Sequence, residues 1–116
     1  MKRILLQSLA IGAFLACCGC GSSASRKGKA DARADIAAGK LGLETAGMVS
    51  PGIATYERLL YERHGIQVRS VSGCVIDKKI MQHMEAYNEV MKAEISRRFG
   101  EDALEKIADE AQRLKP

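Results

Sequence analysis

Tryptophan is absent from this chain, and aromatic residues of any kind are scarce: three Tyr and two Phe among 116 residues. A surface that stacks nucleic-acid bases needs aromatic rings interleaved with cations. Tyr56, Tyr61, Tyr87 and Phe99 are too sparse for one, so nucleic acid is not an expected partner. The net charge of +4 is modest, and Lys2 and Arg3 supply half of it. There is no Ser, His and Asp arrangement for nucleophilic catalysis and no phosphate-cradling Gly loop, so no catalytic residues, no cofactor and no enzyme activity are expected. Histidine occurs only at 64 and 83, and no second cysteine pair at zinc-ligand spacing follows the N-terminal cysteines. A metal site is therefore not expected either. The region beyond residue 48 has no Cys-x-x-Cys, which speaks against thioredoxin-like chemistry.

What the chain does have is an informative start. Lys2 and Arg3 precede a largely apolar run from Ile4 to Ala16, interrupted mainly by Gln7 and Ser8. A basic start, a short apolar core and small residues at its end describe an export signal. The cations stay on the cytoplasmic side while the apolar stretch enters the bilayer. As a helix the run rises only about 20 Å, short of the roughly 30 Å hydrocarbon core, so it is not expected to be a permanent span.

Three cysteines follow within four positions, Cys17, Cys18 and Cys20. Phe14-Leu15-Ala16-Cys17 resembles the lipobox of bacterial lipoproteins. That resemblance implies cleavage before Cys17 and acylation of its thiol and amine, typically with palmitate-type chains. The mature protein would then be held to a membrane, facing the periplasm or the exterior. Cys20, preceded by Gly19 but lying beyond the apolar core, is the runner-up for lipidation. Ser22-Ser23-Ala24 also resembles an ordinary cleavage site, which would discard all three cysteines.

The organisation expected from these features is a signal peptide over 1–16, a lipidated N-terminus and flexible linker over 17–47, and a small domain over 48–116. Residues 21–35 are rich in Gly, Ser and charge without an apolar face, which reads as a spacer. Gly39 and Gly42 each weaken any helix nearby by about 1 kcal/mol relative to Ala, so a helix there should fray.

Beyond Ser50 the fold class reads as mainly α, with about three helices and one short strand or β-hairpin. Ser50 and Pro51 open a helix and Gly65 ends it, with Ile53, Tyr56, Leu59 and Leu60 at helical spacing. Ile66, Val68, Val71, Val75 and Ile76 are β-branched around a turn-like Ser72-Gly73, hence the β element. Asp77 then caps a long helix carrying Ile80, Met84, Tyr87, Met91 and Ile95 on one face, closed by Gly100. A last helix places Leu104, Ile107, Ala108, Ala111 and Leu114 inward. A domain of this size is barely large enough for a self-sufficient core, so self-association, another protein partner or a disulfide is expected to help.

The stretch from Glu62 to Gly100 is similar to a C-terminal module of small, exported bacterial proteins without an assigned activity. The matching positions are Gly65, Gly73, Cys74, Tyr87, Asn88, Phe99 and Gly100. The resemblance supports a fold and implies no function.

Few residues of the domain carry chemistry. Cys74 reads as a buried, inert thiol, as half of a disulfide with Cys18, Cys20 or another chain, or as a reactive thiol near a helix start. An exported thiol or metal-binding protein using Cys74 is thus the alternative to a lipid-anchored binding or structural module. Met81, His83, Met84 and Met91 have Cu(I)-ligand chemistry. However, His83 sits roughly 160° around the helix from Met81, and Met84 and Met91 belong to the core stripe. Asn88, beside Tyr87, either hydrogen-bonds the β element or lines a ligand or partner contact.

Overall fold

The computed structural model describes residues 21–47 and 50–114. Six elements follow one another: α1 (Ser23–Ala37), β1 (Leu41–Ala46), α2 (Ile53–His64), β2 (Ile66–Ser72), α3 (Lys78–Phe99) and α4 (Ala103–Arg113). The domain is mainly helical with a short two-stranded β element.

The segment read as a flexible linker is the main departure from expectation. Residues 23–37 form α1, capped by Ser22, whose Oγ accepts from the Ser25 N–H at 3.1 Å. Its inward face is made of Gly28 and the fully buried Ala32, side chains too small to register as an apolar stripe. Small residues instead let two helix backbones approach. A Cβ on Gly28 would stand 2.3 Å from the carbonyl oxygen of His83 on α3. Helical phase turns Arg26 away from that face, while Lys29 and Arg33 lie along its margin beside α3. What looked like a solvated basic spacer is a helix packed through its smallest residues.

β1 lies in that same segment and supplies the second strand. It pairs with β2 in parallel, Leu41 beside Ile66 and Glu44 beside Arg69. A tight hairpin at Ser72-Gly73 is therefore not formed. Parallel strands need a crossover, and α2 provides it. Val75 and Ile76, counted above as strand residues, lie beyond β2 in the connection to α3 and are 81% and 42% exposed.

The later helices follow the sequence closely. Asp77 caps α3 by accepting from the Ile80 N–H at 2.8 Å, and Gly100 ends it. α2 starts at Ile53, after a turn through Pro51 and Gly52, and ends at Gly65, whose φ of 66° suits a residue without a side chain. On α4, Ala103, Ile107 and Ala111 are buried while Leu114 is 52% exposed, contrary to the inward placement expected for it.

Period-two alternation sends Leu41 and Leu43 to one face of the sheet and Gly42 and Glu44 to the other. The leucine face joins Leu59 and Leu60 of α2, Ile66 of β2, Met91 and Ile95 of α3, and Ile107 of α4 in one core. Full burial of Leu60, Ile66, Met91 and Ile95 favours folding by roughly 1.5–3 kcal/mol per side chain. The other face looks onto the first half of α3 and, beyond it, α1, with His83 between Glu44 and Asp31. Each helix runs opposite to the strand it adjoins in sequence, so the two helices are parallel to one another. The groove between them accordingly steps from Lys29, Arg33 and Ala37 alongside Glu89, Ala93 and Arg97.

Candidate functional site

The face of the sheet turned to α1 and α3 carries the domain's polar interior. Glu44 is 3% exposed and is the one buried charged residue among those described. Strand register sets Arg69 beside it, and the guanidinium donates to Glu44 Oε1 at 2.6 Å. The other carboxylate oxygen lies 3.1 Å from Nδ1 of His83 on α3. Nε2 of the same ring lies 2.8 Å from Asp31 on α1, and Asp31 also accepts from Lys27. Carboxylate oxygens only accept, so each ring nitrogen of His83 faces an acceptor. The result is a line of polar side chains, Arg69, Glu44, His83, Asp31 and Lys27, that ties both helices to both strands. His83 and Lys27 together hold the Asp31 carboxyl below its usual range.

Tyr87 and Asn88, the two residues singled out as contacts, have separate tasks here. The Asn88 amide is taken up by one peptide unit of β1. Its Oδ1 accepts from the Glu44 N–H and its Nδ2 donates to the Glu44 carbonyl, each at 2.8 Å. The outer edge of β1 is thereby paired at that point instead of standing open. Asn88 positions the strand, and with it the Glu44 side chain.

Tyr87 is buried, and its hydroxyl donates to Asp35 of α1 at 2.6 Å. The ring has room because residue 42 is Gly: a Cβ there would meet the hydroxyl at 3.0 Å. Arg69 lies over the ring, 5.5 Å from its centre. A cleft of about 380 Å³ opens here, bordered by Asp35, Lys40, Gly42, Gln67, Arg69 and Tyr87. Lys40 and Arg69 give it cationic donors, and Asp35 gives it an acceptor.

Burial, and then the bond to Asp35, push the Tyr87 hydroxyl well above its ordinary value of 10. A raised folded-state value means that the stabilisation is fully present below about pH 10 and is lost as pH rises beyond it. Burial raises Tyr56 as well. Urea midpoints measured between pH 8 and 11 should therefore hold up to about pH 10 and then fall. Tyr87→Phe should flatten part of that decline, leaving the share due to Tyr56.

Among the described residues every buried polar side-chain atom has a hydrogen-bond partner, and no group of three or more His, Cys, Asp and Glu is arranged to hold a metal ion. Cys74 is exposed in the connection between β2 and α3, which overturns its reading as a buried thiol. Cys17, Cys18 and Cys20 lie outside the described residues. Met91 is buried in the core and Met84 half-buried, while the ring of His83 is engaged by two carboxylates. His64 at the end of α2 stacks on Phe99 at the end of α3, ring centres 4.1 Å apart. Sequence reasoning passed over Asp31, Asp35, Glu44 and Arg69; the available signal was a lone carboxylate inside the apolar alternation Leu41-Gly42-Leu43-Glu44.

Fold and polar interior together define a small, mainly helical domain whose short parallel sheet is tied to α1 and α3 by hydrogen-bonded side chains. No family model, no curated protein and no solved structure matches this chain.

Proposed function

We propose that this chain is a small lipoprotein of the bacterial cell envelope, acylated at Cys17, whose folded part is a binding or structural module held at the membrane. The observation that carries the reading is Phe14-Leu15-Ala16-Cys17 at the end of an apolar run that begins behind Lys2 and Arg3. The cleft beside Tyr87 is the module's candidate contact surface, because it presents Lys40 and Arg69 next to a rigid, hydrogen-bonded floor. A protein partner or a second copy with a matching acidic group fits it.

The anchor is tested by the substitution Cys17→Ala in the full-length chain expressed in bacteria. The wild-type product should partition into detergent and carry the mass of a chain beginning at Cys17 plus acyl groups. The variant should lose that mass and stay unprocessed. Unchanged partitioning and mass in Cys17→Ala, with loss in Cys20→Ala, would move the anchor to Cys20. No change in either variant would overturn the reading.

A further inference from the structure

The exposed pair Val75 and Ile76 has no role in the fold described above. Two adjacent branched apolar side chains at a loop tip, 81% and 42% exposed, cost solubility and contribute nothing to the core. Their place in the domain gives them a partner. β1 and β2 are parallel, α1 enters β1 through the turn at 38–40, and α3 leaves β2 through residues 73–77. The first turns of α1 and α3 therefore stand at one end of the domain, together with the loop that bears Val75 and Ile76. A hydrogen bond from the Gly47 N–H to the Ser72 carbonyl closes the strands at this same end.

Only five peptide steps separate Cys17 from the α1 cap Ser22, so the cap lies within about 18 Å of an acylated Cys17 whatever path the chain takes. The end with Val75 and Ile76 is the end nearest the bilayer. Exposed Lys78 and Lys79 follow the apolar pair after the helix cap Asp77, whose carboxylate is engaged by the Ile80 N–H, and Arg26 and Lys27 stand exposed on the first turns of α1, Lys27 beside Asp31. Apolar side chains flanked by a net excess of cations settle into an anionic lipid interface, the apolar part entering about 5–10 Å.

We propose that the 73–77 loop is a second membrane contact: Val75 and Ile76 insert among the acyl chains and Lys78 and Lys79 engage anionic headgroups. The domain then stands end-on to the membrane, with the cleft beside Tyr87 along its flank. The proposal rests on the lipoprotein reading, and the experiment separates the two.

The absence of tryptophan makes the test direct. Val75→Trp and, as a control, Phe99→Trp are each the sole tryptophan of the chain. Phe99 closes α3, about 30 Å from its first turn by helical rise. Lipidated full-length protein is reconstituted into phosphatidylcholine and phosphatidylglycerol vesicles whose acyl chains carry bromine, a short-range quencher. Equal circular dichroism of both variants and wild type establishes that each is folded. Emission from Val75→Trp should fall by about half or more and shift to the blue, as for a side chain below the headgroups. Emission from Phe99→Trp should stay unchanged. Protein that floats with the vesicles while neither tryptophan is quenched overturns the loop contact and leaves the anchor standing. Equal quenching of both overturns the end-on orientation. Protein that fails to float overturns anchor and contact together.

Discussion

Gly28→Ala is expected to destabilise the domain by about 2 kcal/mol, lowering its thermal midpoint by roughly 10 °C. Helix propensity alone predicts the opposite sign, since Ala is favoured over Gly by about 1 kcal/mol in a helix interior. Geometry decides between the two. The added methyl would sit 2.3 Å from the His83 carbonyl oxygen and 3.1 Å from the Tyr87 nitrogen. Both are backbone atoms of α3 that no rotamer change can move. α1 must lift away, stretching the Asp31 to His83 and Asp35 to Tyr87 bonds together. Ala34→Gly, on the exposed side of α1, is the matched control and should cost about 1 kcal/mol from propensity alone. Thermal melts of the two variants beside wild type check the pair. A neutral or stabilising Gly28→Ala would mean that α1 does not approach α3 as described.

The second large effect is expected at a position that looks harmless by exposure. The Arg69 side chain is 59% accessible, and substitutions at such positions usually change stability by less than about 0.5 kcal/mol. Arg69→Ala should cost about 2–3 kcal/mol, because it removes the guanidinium from a carboxylate that is only 2% accessible and leaves it the His83 ring as its one remaining side-chain partner. The penalty belongs to what is left behind. Glu44→Gln in the same chain should accordingly recover at least half of the loss, since an amide in that place needs no counter-charge. Denaturant unfolding of the two single variants and the double variant gives the coupling directly. Additive losses would show that Arg69 and Glu44 act independently.

How much of this was legible beforehand depends on which forces were local. The bounds of α3 follow from Asp77, Gly100 and a five-residue apolar stripe, all encoded within the helix itself. α2 and α4 announce themselves by the same means. α1 and β1 were hidden because what stabilises them lies elsewhere in the chain. A helix whose buried face is Gly28 and Ala32 shows no amphipathic signal, and its Gly content argues for a spacer until α3 is placed against it. Val75 and Ile76 have strand-forming side chains, yet β2 found its partner 25 positions earlier and stopped at Ser72. Of the polar cluster, Tyr87 and Asn88 were visible as an odd polar pair on a core stripe. Their partners Asp35 and Glu44 sit 52 and 44 positions away and have no local mark.

The docking of α1 on α3 also sets an order of events in folding. The Asp31 to His83 contact spans 52 positions, so α1 has no partner until α3 has formed. A 15-residue helix whose buried face is Gly28 and Ala32 is marginal by itself. The stability of the first described element is therefore set by the fifth.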